Sequence, residues 1–319
     1  MQPIGLSVVI PIFNEQENLR PLATRLRRSL DATGESWEVI FVNDASRDDS
    51  LALMRRLSAK DPRFRAVSLS RNFGHQTAIT AGMAHARGQA VVLMDGDLQD
   101  PPEVVPQLLE KMKSGRWDVV FAVRRKRKEP AAIRFLYFAF YRLLRRMSSV
   151  DIPLDSGDFC IMSRRVADTL NRLPERNRFV RGLRSWVGFR QTGMEYERAA
   201  RHAGSPKYTL KSLVKLAFDG IFSFSYLPLR LSTTLGLVVS VLGLLYAAFV
   251  VLARVLGAYQ QIPGWTTVVV AVLVLGGVQL VMLGLVGEYM GRVYDEIKGR
   301  PSYLVDELIG FDDAPRRAE

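Results

Sequence analysis

Residues 1–230 alternate short apolar runs with amphipathic stretches that carry many charged residues. The apolar runs are rich in Val, Ile and Phe, which is typical of strands that are buried on both faces of a sheet. The stretches between them have apolar positions at helical spacing. The pattern predicts strands at 6–12, 38–43, 65–69, 90–94 and 119–123, and helices at 15–30, 49–59, 75–86 and 102–114.

The alternation of strands and helices indicates the fold class. Buried strands that are joined by helical crossovers form an α/β, mostly parallel, doubly wound sheet. We expect the strand at 119–123 to close the series. The apolar start of the chain at 4–12 follows no basic segment and leads into Pro11 and Asn14, so we interpret it as the first strand and not as a signal peptide.

Two long uncharged stretches follow, at 231–253 and 265–287. Each exceeds the roughly 20 residues that a bilayer-spanning helix needs, so we predict two membrane spans. The short link at 256–264 is also uncharged. Basic residues flank the pair, and the positive-inside rule therefore places the preceding α/β domain and both termini in the cytoplasm and the link outside. The flanking residues are Arg230, Arg292, Lys298 and Arg300.

Two amphipathic stretches, 131–147 and 208–224, combine aromatic and aliphatic residues with Arg and Lys. We expect both to lie in the membrane interface, although a core-facing amphipathic helix is the alternative. The predicted organisation is a cytoplasmic α/β domain at 1–207, an interfacial helix at 208–230, two spans at 231–290 and a cytoplasmic tail at 291–319, all at the inner membrane.

Polar side chains follow three predicted strands, at the edge of the sheet where ligands of such folds bind. Turns and helix caps also use Asn, Asp and Ser, and this interpretation stays open for Ser46 and Asp48. It does not account for Asp95 and Asp97, which leave a buried strand together. Two such carboxylates can hold a hard divalent cation, usually with a substrate phosphate completing the shell.

Several segments have a familiar order along the chain. The first are SVVIPIFNEQENL, VNDASRDDS, LSRNFGHQTAITAG and LMDGDLQDPPE. They resemble the family 2 glycosyltransferases with the GT-A fold. Further segments narrow the resemblance to the polyprenyl-phosphate glycosyltransferases, in the two-span bacterial type, a group that includes the bactoprenol glucosyltransferases and dolichol-phosphate mannose synthase. These segments are DSGDFCIMSRR, SPKYTLKSLVKLAFDGIFSFSYLPLR and GLVGEYMGRVYDEIKGRPSYLV.

The resemblance implies a reaction and its partners. A hexose would pass from a nucleotide sugar to undecaprenyl phosphate with inversion, with Mg²⁺ or Mn²⁺ as cofactor. UDP-glucose is the favoured donor, while GDP-mannose and UDP-linked amino sugars stay open. The product would serve a cell-envelope glycan or O-antigen modification through a separate flippase and a downstream glycosyltransferase. Glycines in the second span would allow close packing, which leaves a homo-oligomer open.

The resemblance also implies roles for individual residues. Asp95 faces the nucleotide and, with Asp97, makes the metal site, in which Asp97 is the principal ligand. Asp158 stands where the family places a base or an acceptor-orienting carboxylate, and Asp155 is the alternative. A phosphate acceptor needs little help from a base, because its second pKa is about 6 and it is already anionic. The base and ribose pocket is formed by Pro11, Asn14, Glu15 and Asp44.

An anionic acceptor beside an anionic donor requires cations. Arg124 directly follows the fifth strand and is the member of the basic run 124–128 that we expect to reach the site; the others have the pattern of a solvated surface. His75 and His202 are further candidates, although the three scattered histidines have no metal-ligand spacing. A second basic group, which resembles the family's phosphate-contacting loop, comprises Arg198, Arg201 and Lys207, with Lys207 foremost.

Composition and motifs weigh against other functions. The net charge of +12 suits nucleic acid, an anionic membrane or a phosphorylated substrate. Because the basic residues adjoin apolar stretches and no recognition motif is present, we do not expect nucleic-acid binding. A single cysteine excludes disulfides within the chain. A processive polysaccharide synthase would have a Q-x-x-R-W motif, which this sequence lacks, and more membrane spans. A catalytically silent scaffold that binds nucleotide sugars would not need carboxylates at every expected strand end, and this sequence keeps them all.

Overall fold

The computed structural model describes residues 4–124, 156–176, 178–197, 227–256 and 264–311. They divide into two units. The first contains the described residues up to 197 together with 300–311, and the second contains 227–256 and 264–299. The predicted amphipathic stretches at 131–147 and 208–224 and most of the link between the spans lie outside the described residues.

The first unit is built on a sheet whose described strands have the order β7-β5-β6-β4-β1-β2-β3-β8. The neighbours β1–β2, β2–β3, β1–β4 and β5–β7 are parallel, which confirms the predicted α/β, mostly parallel fold. The bounds are β1 Leu6–Ile12, β2 Trp37–Asn43, β3 Phe64–Leu69, β4 Ala90–Leu93, β5 Val119–Arg124, β6 Ser156–Ser163, β7 Gln191–Tyr196 and β8 Val305–Ile309.

Helices cover the sheet and supply the rest of the core. The first helix contributes leucines at helical spacing, including Leu19, Leu22 and Leu26, and these side chains are fully buried. A short 3₁₀ turn, Pro102–Val104, precedes the fourth helix. The helices of this unit are α1 Gln16–Asp31, α2 Ser50–Lys60, α3 His75–His85, α4 Val105–Ser114, α5 Arg164–Arg172 and α6 Val180–Trp186.

The prediction that the strand at 119–123 closes the series is wrong. Strand β6 lies between β4 and β5 and is antiparallel to both, β7 extends the sheet beyond β5, and β8 is antiparallel to β3 at the opposite edge. Strands β7 and β8 are short and mix polar with apolar residues, so their pattern alone does not separate them from loops. Their partners in the sheet stabilise them.

The second unit consists of two helices, α7 Leu227–Val255 and α8 Trp265–Ile297. Each contains a segment that is long and apolar enough to cross a membrane, Ser232–Val250 and Val270–Ile297, with a mean hydropathy of 2.1 and 2.4. Large apolar side chains such as Leu244 and Leu280 are exposed. The prediction of two long apolar helices is confirmed. Helix α8 extends into the predicted tail, which then continues to β8.

Candidate active site

The loops that follow β1 and β2 are joined by reciprocal hydrogen bonds at the carboxyl edge of the sheet. The N–H of Asn14 donates to Ser46 Oγ at 3.1 Å, and Asn14 Oδ1 accepts the N–H of Arg47 at 2.7 Å. The N–H of Gln16 donates to Asp48 Oδ2 at 3.1 Å. Ser46 and Asp48 therefore shape the loops, which supports the turn and cap interpretation for these two residues.

Glu15 and Pro11 lie at the same edge. The N–H of Glu15 donates to Ser50 Oγ at 3.2 Å, and Glu15 Oε2 accepts a hydrogen bond from Asn18 at 2.6 Å. Pro11 is at the end of β1, and its carbonyl oxygen packs against Gly96. The ends of β1, β2 and β4 thus bring the residues predicted for the nucleotide pocket to one edge of the sheet.

Three non-glycine residues in these loops have a left-handed backbone. Asn14, Ala45 and Leu98 follow β1, β2 and β4 and have φ values of 55°, 54° and 63°. This conformation costs about 1–3 kcal/mol for a residue with a side chain and is concentrated at ligand-binding sites. The strained turns are therefore consistent with a binding site at this edge.

Asp44 fixes the loop that precedes α3. It is 3% exposed, and its Oδ1 and Oδ2 accept the N–H groups of Phe73 at 2.7 Å and Gly74 at 2.9 Å. Gly74 has a φ of 96°, which favours glycine, and it directly precedes α3. Asp44, which we predicted for the nucleotide pocket, thus also sets where α3 begins.

The segment Asp95-Gly96-Asp97 follows β4. A Cβ atom at Gly96 would collide with Ile12 Cδ1 and lie 3.3 Å from the carbonyl oxygen of Pro11, so glycine lets the loop after β4 lie close to β1 without a shift of the Ile12 side chain. Asp97 is 9% exposed, and its Oδ1 accepts the N–H of Gln99 at 3.1 Å. The Asp95 side chain is 31% exposed.

Asp100, the next acid along the chain, has a structural contact. It is buried, and its Oδ1 accepts a hydrogen bond from the Tyr196 hydroxyl at 2.7 Å. The Tyr196 ring packs edge-on against Phe159, with 5.5 Å between ring centroids. Asp100 therefore connects the loop after β4 to β6 and β7.

Strand β6 brings Asp158 to Asp95. The antiparallel register pairs Ala90 with Ser163 and Leu93 with Cys160, so Asp158 on β6 lies near the loop that follows β4. His75, the first residue of α3, lies beside both carboxylates: its Nε2 is 3.4 Å from Asp158 Oδ2 and 3.6 Å from Asp95 Oδ1. The structure thus places two predicted carboxylates and a histidine candidate in one group.

The charges in this group stabilise each other. Burial by itself would lower the pKa of His75, but the hydrogen bond with Asp158 and the nearby carboxylates raise it from 6.5 to about 9. Burial would raise the pKa of Asp158, but Arg181, His75 and Arg184 hold it well below its usual range. At neutral pH, His75 is therefore an imidazolium beside a carboxylate of Asp158 that stays ionised.

Helix α6 contributes cations that the sequence analysis missed. Arg181 Nε is 3.6 Å from Asp158 Oδ1. Arg184 is 1% exposed, with its guanidinium 5.3 Å from the centre of the Phe121 ring. The sequence signal was weak, because arginines on a short helix beyond the predicted strands have the pattern of a solvated face. Their burial is visible only in the fold.

The other predicted site residues cannot be placed. Arg124 is the last residue of β5, but its side chain is outside the described part of the structure. Asp155, His202 and the second basic group are outside it as well, so their roles stay predictions. That group comprises Arg198, Arg201 and Lys207.

Asp95 and Asp97 fit a metal site in which the protein supplies only part of the coordination shell. Within the described ranges, no three His, Cys, Asp or Glu side chains are grouped to hold a metal ion. Two carboxylates at a strand end are the usual protein share of a Mg²⁺-type site, in which substrate phosphate oxygens and water supply the remaining ligands. The donor set fits a divalent cation bound together with a diphosphate.

Carboxylates that leave neighbouring strands at the carboxyl edge of a mostly parallel sheet match the arrangement of a GT-A glycosyltransferase, and the chain is a glycosyltransferase of this class. It belongs to glycosyl transferase family 2, whose sequence model matches residues 7–170. The GtrB C-terminal hairpin matches residues 227–293, which include α7 and most of α8.

Related proteins match nearly the whole chain. The uncharacterized glycosyltransferase YkcC of Bacillus subtilis is 47% identical over 310 residues, which cover 97% of this chain and 95% of YkcC. The SfII prophage-derived bactoprenol glucosyl transferase of Shigella flexneri is 40% identical over 301 residues, or 94% and 97% of the two chains. A solved structure, glucosyl-3-phosphoglycerate synthase of Mycobacterium tuberculosis with phosphoglyceric acid, is 20% identical with a TM-score of 0.45, covering 69% and 78%.

Proposed function

We propose that the protein transfers a hexosyl group from a nucleoside-diphosphate sugar to a polyprenyl phosphate at the cytoplasmic face of the membrane, with inversion at the anomeric carbon. UDP-glucose is the proposed donor. One observation carries the proposal: Asp95 and Asp158 both lie beside His75 at the ligand-binding edge of a family 2 domain whose chain also carries a GtrB hairpin. The name of the Shigella relative, a bactoprenol glucosyl transferase, supports the lipid acceptor.

The donor would bind along the ends of β1, β2 and β4. Base and ribose would contact the loops at Asn14 and Asp44, and the diphosphate would lie beside Asp95 and Asp97. A divalent cation, Mg²⁺ or Mn²⁺, when bound by these two carboxylates, supplies positive charge to the diphosphate. The diphosphate needs this charge because it takes up the electron pair of the anomeric bond when that bond breaks.

The acceptor side would lie toward β6 and α6. An oxygen of the lipid phosphate forms the new bond to C1 from the face opposite the leaving diphosphate. The acceptor has already lost its proton at neutral pH, so no general base is needed. We propose that Asp158, which remains ionised between His75 and Arg181, stabilises the positive charge that develops on the sugar at C1. This assigns Asp158 an electrostatic role.

Strand β8 supports the proposed membrane topology. It follows α8 in the chain and yet pairs with β3 in the catalytic sheet, with Ala66 opposite Ile309. Arg55 and Glu307 form an ion pair across this edge, and the N–H of Ser70 donates to the carbonyl oxygen of Leu304 at 3.0 Å. Segments before and after the two helices therefore belong to one sheet, which requires an even number of membrane crossings.

The reaction is tested with purified protein, undecaprenyl phosphate and a panel of radiolabelled nucleotide sugars. We expect a labelled lipid with UDP-glucose, dependence on a divalent cation, and an inverted anomeric configuration in the product by NMR. The variant that tests the role of Asp158 is Asp158→Asn, which keeps the size of the side chain, removes its charge and should reduce transfer. If only GDP-mannose or only a UDP-amino sugar gave labelled lipid, that nucleotide sugar would be assigned as the donor in place of UDP-glucose. If no nucleotide sugar gave labelled lipid, the proposed function would be refuted.

The topology is tested separately with reporters. A reporter fused after Glu319 should be active in the cytoplasm, and one inserted in the link at 257–264 should be active outside. Opposite locations for these two reporters would contradict the two-span topology and would place the active site away from cytoplasmic nucleotide sugars.

A further inference from the structure

Gln76 joins three elements of the site through one side chain. It is the second residue of α3, its Nε2 donates to Asp158 Oδ2 at 2.9 Å, and its Oε1 accepts the N–H of Val180 at 2.8 Å. The amide can have only this orientation. The backbone N–H of Val180 needs an acceptor and the carboxylate of Asp158 needs a donor, so a flipped amide would lose both hydrogen bonds.

The contact with Val180 makes Gln76 a cap for α6. Val180 is the first residue of α6 and is 2% exposed, and its N–H belongs to the first turn, where no carbonyl of the helix can accept it. The residue before the helix, Phe179, provides no side-chain cap. The Gln76 side chain supplies the missing acceptor from a different helix.

The contact with Asp158 fixes the plane of the carboxylate. Oδ2 is held by Gln76 and lies near His75, and Oδ1 faces Arg181, the residue that follows Val180 in α6. Gln76 thus determines both where the carboxylate lies and where the helix that carries its counter-ion begins. A substitution of Gln76 would therefore displace the Asp158 carboxylate and the Arg181 guanidinium together.

We propose, resting on the proposed function, that Gln76 is a positioning residue for glycosyl transfer: it sets the relative placement of the Asp158 carboxylate and the Arg181 guanidinium. It has no direct role in binding the nucleotide, because its two side-chain partners are Asp158 on β6 and Val180 on α6. Its loss should therefore reduce the rate of the chemical step and leave donor binding nearly unchanged.

The principal variant is Gln76→Glu, which has almost the same shape. It still accepts the Val180 N–H but sets a second carboxylate against Asp158. We expect kcat to fall about 10- to 100-fold, as for misplacement of a catalytic group by about 1 Å. The KM for the nucleotide sugar and the nucleotide affinity without acceptor should change less than about threefold, which is under 1 kcal/mol. Gln76→Leu should lose kcat similarly and also lower the Tm.

A matched control and a double-mutant cycle complete the test. Gln89→Glu makes the same change at an exposed position directly before β4. This position is at the end of β4 away from the site, so the variant should keep the wild-type kcat. Gln76→Glu should lower the Tm in the wild-type background but much less in an Asp158→Asn background, where an amide again faces a carboxylate. This coupling between the two positions is a direct measure of the contact.

The kinetic comparison uses whichever acceptor the wild-type protein glycosylates, so an error in the lipid assignment does not affect it. Wild-type kcat in both Gln76 variants would overturn the inference. An equal loss of nucleotide affinity and kcat would also overturn it, because Gln76 would then belong to the donor site. Equal Tm changes in the two backgrounds would refute the contact with Asp158.

Discussion

Replacing Asp44 with asparagine should destabilise the catalytic unit as well as reduce activity. Asp44 is buried, and each of its carboxylate oxygens accepts a backbone N–H, one from Phe73 and one from Gly74. Asparagine has a single side-chain oxygen. One N–H would keep a neutral acceptor, and the other would face an NH₂ group that is also a donor.

The cost follows from these two hydrogen bonds. Loss of a charge-assisted bond that leaves a buried donor unsatisfied costs about 1.5–3 kcal/mol, and conversion of the other to a neutral bond costs roughly 0.5–1 kcal/mol more. The expected total is about 2–4 kcal/mol. For a domain of this size, each kcal/mol lowers the Tm by about 2–4 °C, so the Tm should fall by roughly 4–16 °C.

The assay is thermal unfolding of the purified protein in detergent, followed by intrinsic fluorescence, with nucleotide affinity measured by calorimetry. Asp49→Asn is the control, because it makes the same charge change at an exposed residue of the same loop that provides no side-chain cap to α2. Its Tm should stay within about 2 °C of the wild-type value, as for most surface substitutions.

Two results would refute this reasoning. An Asp44→Asn variant with the wild-type Tm would show that the two hydrogen bonds contribute little to folding, whatever its activity. A large Tm loss in Asp49→Asn would show that stability depends on the net charge of the loop. Loss of nucleotide affinity alone, at an unchanged Tm, would make Asp44 only a ligand-binding residue.

Three further predictions follow. Asp97→Ala should abolish transfer with the fold intact; substantial activity after chelation and re-addition of magnesium would contradict the metal assignment. Lys207→Ala should cut transfer at least about tenfold, because a charge-assisted phosphate contact contributes about 1.5–3 kcal/mol; normal turnover at low acceptor concentration would make the loop a headgroup anchor. Asp61→Asn should lower the Tm at pH 7, and the difference should shrink as the pH falls below about 4; a pH-independent difference would contradict it. Hydrogen bonding from Arg63 lowers the pKa of Asp61 in the folded protein, so the stabilisation exists above the unfolded pKa and is lost on acidification.

The sequence by itself determined the strands and helices of the parallel half and the two long apolar helices. Each of these depends on local pattern: β1 is a continuous apolar run, and α7 and α8 are uncharged over most of their length. It also determined that Asp95 and Asp97 lie at the ligand-binding edge. That conclusion needs only the strand order along the chain and the rule that parallel strands end at the same side.

Only the tertiary structure decided which distant side chains meet. The antiparallel pairing of β6 with β4 brings Asp158 beside His75, and α6 brings Arg181 to the same carboxylate. Asp158 lies on β6 and Arg181 lies on α6. No local sequence period indicates that these two side chains meet. Gln76 shows the same limit, because its motif places it at the start of a helix but not against Val180 and Asp158.

The strand β8 shows the difference most directly. Its sequence, VDELI, is short, and two of its five residues are charged. Because it also follows two long apolar helices, it has the pattern of a solvated tail. In the structure its backbone pairs with the edge of β3, and Arg55 from α2 pairs with Glu307. Hydrophobic periodicity reports which face of a segment is buried. It does not report which open sheet edge a polar segment will occupy, because backbone hydrogen bonds, which are the same for every sequence, stabilise that contact.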